Sequence, residues 1–249
     1  LIYDLKRKLL AEGGCSFDRE KQSYQKVLAQ LVDEILRKLQ SFSTETVGVG
    51  VSVPSAYYEK EDLTNYDLIP AFKGFHIRQY FQEAFGLENV AVVHDVVSAA
   101  KSEYESKPVR NESIFYFYCG FGVGGCFMLR GEAVTGEDLL AGEVGKMQID
   151  SPFGEGILTL EEIVSVPGIL RQVHKEIPQI SFEEVTARYK EGAKPIAGIL
   201  DKVVKTISRV LYNMVWLFKP AKFVVDSCNE EYAALITESV KAYMQRFRQ

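Results

Sequence analysis

Short apolar runs alternate with amphipathic helical segments along this chain. In "VAVVHDVVSAAKSE", residues 90–103, Val90–Val93 has the apolar run of a buried strand and Val96–Glu103 has the pattern of a helix. Asp95 stands at the junction between them. Strands followed by alternating helices and strands are typical of one fold class, so the pattern predicts an α/β protein over the 249 residues.

Further elements follow from the same patterns. Ile114–Tyr118 and Gly124–Arg130 are predicted as strands joined by a glycine turn, and "RGEAVTGE" is predicted to form another hairpin. Ile157–Val164 is predicted as a short helix. Ala193–Phe218 is predicted as a long helix, with Pro195 in its first turn. The polar segment "SKPVRNES" then marks the boundary between two halves of the chain.

Composition excludes several classes of protein. The formal net charge is −5, so the chain as a whole is not a polyanion binder. The four cysteines have no C-x-x-C spacing and the three histidines are far apart, so no zinc site of the usual spacing is expected. Reduced thiols, the absence of a signal peptide and the absence of a run of about 18 apolar residues indicate a cytoplasmic protein without a membrane span.

A glycine-rich segment, "YCGFGVGGC" at residues 118–126, lies between two predicted strands. Glycines let backbone N–H groups turn inward and hold a phosphate, but a glycine-rich turn also joins strands without any ligand. Both interpretations stay open, and no Walker-type G-K-[ST] follows. The candidate phosphate-binding residues are Gly120, Gly122, Gly124 and Gly125.

Four carboxylates have comparable ambiguity. Asp95 suits a helix cap and also a group that accepts a proton from a substrate hydroxyl. Glu143 lies in "AGEVG", where glycine neighbours leave room for a ligand, although a solvated loop glutamate has the same sequence. Glu161 and Glu162 stand at a predicted helix start, where the helix dipole favours negative charge without any function.

These stretches occur together in the order found in the ROK family, which groups bacterial sugar kinases with sugar-responsive transcriptional repressors. "VGVGVSVPS" resembles its G-x-G-I-x-x-P-G strand and turn, and "VAVVHDVVSAAKSE" resembles its catalytic v-x-N-D-x-N-a-A-a-x-x-E segment. "YCGFGVGGCFMLRG" resembles the phosphate hairpin, "AGEVGKM" resembles A-G-E-I-G-H-M, and "TLEEIVS" resembles C-L-E-x-x-x-S. The resemblance covers essentially the whole chain.

The resemblance implies a two-domain actin-like (ribonuclease-H-like) ATPase fold with a cleft between the domains. We therefore expect an N-terminal α/β domain over residues 1–107 and a C-terminal α/β domain over residues 108–228. Residues 229–249 would form a closing helix that packs on the N-terminal domain. The family's first strand and its D-x-G-G-T phosphate loop would precede Leu1. Because the chain has no initiator Met, we expect the true beginning to lie upstream.

Roles carry over residue by residue. Asp95 matches the catalytic base for a sugar hydroxyl, and Glu143 and Glu161 match carboxylates that hold sugar hydroxyls. His94 and Lys146 occupy sugar-side positions where the family has Asn and His. The four hairpin glycines match residues that meet the ATP phosphates. ATP and Mg²⁺ are thus implied cofactors of a kinase.

Departures from the family fall on the nucleotide side and on a zinc site. Val97 replaces a second Asn, Phe121 replaces the Thr of the phosphate hairpin, and "DSCNEE" replaces the glycines expected at the adenosine. Lys146 replaces the zinc-binding His, and the three zinc cysteines align with Pro152, Gly154 and Thr159. All four zinc ligands are missing together, so we expect no structural zinc.

Sugar-side carboxylates are thus kept and nucleotide-side residues are changed. This asymmetry favours the sugar-binding effector domain of a ROK-type transcriptional regulator, catalytically weak or inactive. Its DNA contacts would come only from a helix-turn-helix upstream of Leu1, and homodimers or homotetramers are expected from the family. An ATP-dependent sugar kinase with Asp95 as base is the alternative. A pseudoenzyme without a sugar ligand is the third interpretation.

Overall fold

A computed structural model describes residues 1–15, 23–54, 57–64, 72–106, 112–136 and 140–246. These residues form two compact units, Leu1–His94 and Asp95–Gln249. Both units combine helices with strands, which confirms the predicted α/β class. The predicted boundary between residues 107 and 108 lies outside the described residues and stays a prediction.

Small paired strands and two helices build the described part of the first unit. Strands β3 and β6 pair in parallel, whereas β1 pairs with β2 and β4 with β5 in antiparallel fashion. Val53, Ile77, Phe81 and Val92 are among its buried residues. The elements are β1 (Ile2–Tyr3), β2 (Leu9–Ala11), α1 (Tyr24–Leu39), β3 (Val49–Val53), β4 (Tyr57–Tyr58), β5 (Leu63–Thr64), α2 (Ile77–Phe85) and β6 (Val90–His94).

The second unit has a larger sheet with helices on both faces. Its elements are α3 (Asp95–Ser106), β7 (Ser113–Cys119), β8 (Val123–Leu129), β9 (Glu132–Val134), β10 (Gln148–Asp150), β11 (Ile157–Thr159), α4 (Leu160–Val164), α5 (Val166–Val173), α6 (Phe182–Lys190), α7 (Ile196–Phe218), β12 (Lys222–Asp226) and α8 (Glu230–Gln245). Within the described ranges, no helix combines the length and the apolar character needed to cross a bilayer.

The alternating directions of the side chains along β7 explain how one sheet contributes to two hydrophobic cores. The strand order is β12-β7-β8-β9, with β12 parallel to β7 and the other pairs antiparallel. Phe115 and Phe117 of β7 face the large core built with α4–α8, whereas Ile114 and Tyr116 face α3. Because successive side chains of a strand point to opposite faces, "IFYF" is buried on both sides.

Hairpin and helix boundaries match the sequence where local signals are strong. Arg130 and Gly131 both have positive φ, of 55° and 90°, as a two-residue turn between β8 and β9 requires. Gly86 ends α2 in the left-handed region, with φ 63°. Cys119 and Cys126 are buried, whereas the other two free cysteines, Cys15 and Cys228, are exposed.

The helix predicted over Ile157–Val164 is wrong in its first half. Ile157–Thr159 forms strand β11, which pairs with β10. The helix α4 begins only at Leu160, because Thr159 is its N-cap and exchanges hydrogen bonds with Glu162 in a capping box. Sequence reasoning missed α5, although the cap Ser165 followed by a proline in the first turn signals a helix start.

Tyr232 fixes the closing helix α8 inside the second unit. It is fully buried together with Ile236, and its hydroxyl donates a hydrogen bond to the carbonyl oxygen of Val164 at 2.8 Å. The thiol of Cys119 donates to the same carbonyl at 3.3 Å, and burial raises the pKa of this thiol to about 12. The packing of α8 on the N-terminal domain stays a prediction.

The substitution Tyr232→Phe should lower the free energy of unfolding by about 1–2 kcal/mol, because the buried carbonyl of Val164 loses its hydroxyl donor. Urea unfolding of both proteins measures the difference. Tyr189→Phe is the matched control, since its hydroxyl bonds Asp201 in an exposed position, at 2.9 Å. A loss no larger than that of the control would contradict the structural role of the buried hydroxyl.

Candidate functional site

Asp95 follows the last residue of strand β6 and is the first residue of helix α3. Its side chain is exposed, and one carboxylate oxygen accepts the backbone N–H of Val96 at 2.7 Å. A carboxylate in a first helical turn complements the positive end of the helix dipole. Asp95 is the first residue of α3, and its exposure leaves the carboxylate accessible to a ligand.

Val96 packs the start of α3 against the glycine hairpin. A Cβ at Gly124 would lie 2.9 Å from Cγ2 of Val96, so only glycine lets the helix approach β8 this closely. Burial raises the pKa of Tyr118, in the same hairpin, to about 12. The close approach of Val96 to Gly124 brings its neighbour Asp95 near the hairpin.

The tip of the hairpin between β7 and β8 consists of residues 120–122. The N–H of Gly120 donates to the carbonyl of Gly122 at 2.9 Å, which closes the tip on itself. A side chain at Gly120 would collide with the Tyr118 hydroxyl. Phe121 stands at the apex and is 72% exposed. The exposed part of the tip is therefore an aromatic ring and the backbone that carries it.

Glu161, in the first turn of α4, holds the hairpin from the other side. Its Oε2 accepts the N–H of Val123 at 2.8 Å, and a Cβ at Gly122 would lie 3.2 Å from the same oxygen. The sequence did not predict this contact. It suggested only the helix dipole or a sugar hydroxyl as the partner of Glu161. Glu162 instead completes the capping box, and its hydrogen bonds from Thr159 keep its pKa below the usual range.

The loop with Glu143 approaches the backbone of β8 at two points. Gly142, with φ 102°, accepts the N–H of Gly125 on its carbonyl at 2.8 Å, and a side chain there would collide with the Gly125 carbonyl. A side chain at Gly145 would collide with the carbonyl of Val123. The glycines flanking Glu143 are thus required for packing. They hold this half-buried carboxylate residue next to the strand that Glu161 and Val96 also contact.

The remaining sugar-side residues differ in exposure. His94, the last residue of β6, is half-buried, and Lys146 is exposed at the end of a short 3-10 turn over Val144–Lys146. The four glycines differ as well. Gly120, Gly124 and Gly125 are buried, and only Gly122 is half-buried at the tip. Of the four candidate phosphate-binding glycines, only Gly122, next to the exposed Phe121, is therefore partly accessible.

The segment aligned with the zinc ligands folds as a hydrogen-bonded turn. The N–H of Ser151 donates to Gly156 at 2.8 Å between β10 and β11, and Thr159 serves as a helix cap. Glu155 in this turn binds Lys175 and Gln172, at 2.8 Å and 2.7 Å. Across the described ranges, no three His, Cys, Asp or Glu residues are grouped to hold a metal ion. The expected absence of zinc stays a prediction.

On the predicted nucleotide side, "DSCNEE" leads directly into α8. The hydroxyl of Tyr116 donates a hydrogen bond to Asp226, and Asn229 caps the helix by accepting the N–H of Tyr232 at 2.9 Å. The thiol of Cys228 lies 3.1 Å from where a Cβ of Gly120 would be. Sequence reasoning missed Tyr116 and Tyr118. Their place on a strand was visible, but Asp226, the hydrogen-bond partner of Tyr116, lies more than a hundred residues away in the chain.

Fold and site together define an α/β protein in which carboxylates surround a glycine hairpin. The ROK family model matches residues 1–249, and the chain belongs to the ROK family. It is 27% identical over 226 residues to the β-glucoside kinase of Listeria monocytogenes, covering 86% of this chain and 76% of that protein.

Two crystal structures show the fold. The ROK hexokinase of Thermus thermophilus matches with a TM-score of 0.74 and 21% identity, over 92% of this chain and 80% of that one. A ROK transcriptional regulator homologous to the E. coli MLC protein matches with a TM-score of 0.72 and 19% identity, over 89% and 61%. The structure is thus of the actin-like ATPase type found in ROK hexokinases.

The substitution Gly142→Ala should destabilise the protein by about 1–3 kcal/mol more than Gly154→Ala, because it adds a collision to the strain of a positive φ. Gly154 is the matched control, with φ 78° and no atom within 4 Å of an added Cβ. Urea unfolding of the two variants provides the comparison. Equal losses of stability in the two variants would show that the Glu143 loop can move away from β8 without a cost in free energy.

Proposed function

We propose that this chain is an ATP-dependent sugar kinase of the ROK family. The observation that carries the proposal is the contact of Val96 with Gly124, which brings the exposed carboxylate of Asp95 beside the hairpin. The relationship to a β-glucoside kinase supports the same function. The regulator predicted from the sequence receives less support. A regulator shares the fold, but the kinase alternative agrees both with the contact of Val96 with Gly124 and with the relationship to a β-glucoside kinase.

Asp95 would accept the proton of the attacking sugar hydroxyl, late in phosphoryl transfer. Its exposed position at the start of α3 leaves the carboxylate accessible to a substrate hydroxyl. Glu143 and Glu161 would hold neighbouring hydroxyls, with His94 and Lys146 completing the sugar site. The anchoring of both glutamate-bearing segments on β8 orients the sugar.

ATP with Mg²⁺ would supply the phosphoryl group. The backbone at Phe121 and Gly122 fits this role, because the tip is exposed and adjoins the segment that carries Asp95. The N–H of Val123 donates to Glu161, and the N–H of Gly125 donates to the carbonyl of Gly142. These two N–H groups therefore stabilise the hairpin itself. A cleft between the two domains and assembly as a homodimer or homotetramer stay predictions.

The substitution Asp95→Asn should reduce sugar-dependent ADP release by a factor on the order of 10²–10⁴, because the amide cannot take the proton. Sugar affinity, measured by calorimetry, should stay near the wild-type value. Asp150→Asn, an exposed strand residue, is the matched control and should keep full activity. An Asp95→Asn variant with the wild-type rate would eliminate Asp95 as the base.

A sugar sensor without turnover is the second candidate, and Phe121 favours it. An apex that is 72% exposed presents an aromatic ring where the family has a hydroxyl, and a phosphate gains no hydrogen bond from it. In such a sensor, contacts with DNA would depend on a helix-turn-helix upstream of Leu1.

The two candidates give different thermal shifts, because a ligand of the native state raises the unfolding midpoint. The unfolding midpoint of a kinase should rise with glucose and also with ATP and Mg²⁺. In the kinetic assay, Phe121→Thr should lower the KM for ATP several-fold by restoring a hydroxyl. Leu129→Thr, at another exposed residue of the hairpin, is the control and should leave that KM unchanged. A shift with sugar alone, together with no ADP release by the wild type, would establish the sensor instead.

A further inference from the structure

The hydroxyl of Tyr118 lies against the backbone at the tip of the glycine hairpin. A Cβ at Gly120 would collide with this hydroxyl, so the ring runs from the end of strand β7 toward the tip. Phe121 follows at the apex, where the family has a threonine. The hydroxyl of Tyr118 therefore lies next to the position from which the family's hydroxyl is missing.

The same side chain adjoins the start of helix α3. Tyr118 pairs with Gly124 across strands β7 and β8, and Gly124 is the glycine on which Val96 packs, 2.9 Å from where its Cβ would be. Cross-strand partners share one face of a sheet, and Tyr118 packs against the core cluster that contains Val96. Because Val96 directly follows Asp95, Tyr118 adjoins both the segment that carries the candidate base and the hairpin tip.

Within the part of the chain that the structure describes, the hydroxyl of Tyr118 has no hydrogen-bond partner. It also does not belong to the buried polar atoms that lack a partner there, which are in Thr64 and Arg78, so the half-buried Tyr118 presents its hydroxyl to solvent. Other tyrosine hydroxyls donate to protein acceptors, namely those of Tyr57, Tyr116, Tyr189 and Tyr232. The Tyr118 hydroxyl is therefore available to a ligand.

This hydroxyl is a donor at neutral pH. Burial raises the pKa of Tyr118 to about 12, so the group keeps its proton over the whole range in which enzymes are assayed. The oxygens of a terminal phosphate accept hydrogen bonds without donating any, and bonds to a charged acceptor are stronger than bonds to a neutral one. A phosphate oxygen is thus the ligand that suits this position.

We propose that Tyr118 is a further catalytic residue, whose hydroxyl donates a hydrogen bond to the phosphoryl group that is transferred to the sugar. This inference rests on the proposed function, because it takes the hairpin as the phosphate site and Asp95 as the base. The hydroxyl stands in for the one that is absent at Phe121. It keeps its proton throughout and stabilises the negative charge on the phosphoryl oxygens.

Calorimetry with β,γ-imido-ATP and with ADP, each with Mg²⁺, tests which phosphate the hydroxyl meets. Tyr118→Phe should weaken the binding of the imido analogue about tenfold, because this nucleotide carries the terminal phosphate. The affinity for ADP, which lacks that phosphate, should change by less than about twofold. An unchanged affinity for the analogue, or equal losses for both nucleotides, would overturn the assignment to the transferred group.

Tyr116→Phe is the matched control, because Tyr116 lies on the same face of β7 but donates its hydroxyl to Asp226. In urea, Tyr116→Phe should unfold at a lower concentration than the wild type and keep the wild-type ratio of the two nucleotide affinities. Tyr118→Phe should show the opposite pattern, since its hydroxyl has no acceptor among the described residues. A loss of stability in Tyr118→Phe as large as that of the control would show a structural role and overturn the proposal.

Glucose-dependent ADP release separates this inference from the proposed function. Tyr118→Phe should lower kcat about 10²-fold and leave the KM for glucose near the wild-type value, because the bond acts on the phosphoryl group and not on the sugar. A variant with the wild-type kcat would overturn the role of Tyr118 and leave the kinase function intact. If the wild type neither binds the imido analogue nor releases ADP, both proposals fail.

Discussion

Close approach to the backbone of β8 is the constraint on which the site depends. Three segments from different parts of the sequence meet this one strand. The start of α3 packs on Gly124, Glu161 accepts the N–H of Val123, and the carbonyl of Gly142 accepts the N–H of Gly125. Each contact uses backbone atoms or the space left by a missing side chain. The three candidate carboxylates are therefore positioned by β8 rather than by one another.

This arrangement explains why some residues of the glycine-rich hairpin are set by packing while another differs from the family. Buried glycines in β8 are required by helix and loop packing, whatever the chain binds. Phe121 at the apex is 72% exposed, and there the chain departs from its family. Glycines required by packing and the departure at Phe121 thus occur within the same short hairpin. A family resemblance based on its glycines identifies the fold more securely than the activity.

Local patterns predicted a large part of the fold. The strand, Asp95 and the following helix were correct because an apolar run, a capping carboxylate and helical periodicity all agree there. Ile157–Thr159 was assigned to a helix because short apolar runs do not distinguish strand from helix, and pairing with β10 decided the outcome. The bond of Glu161 to Val123 could not be predicted, since it joins segments whose separation in space a single sequence does not reveal.

The hydrogen bond between Glu161 and Val123 also has a thermodynamic consequence. If Glu161 binds a sugar hydroxyl as proposed, the carboxylate that binds the sugar is also the one that holds the hairpin. Sugar binding and the stiffness of the tip would then depend on one group. Linkage is reciprocal: if the sugar alters the affinity of the tip for a phosphate, the phosphate alters sugar affinity by the same factor. In the ROK kinase proposed here, cooperativity between the two substrates would originate in a single carboxylate, without any change of subunit arrangement.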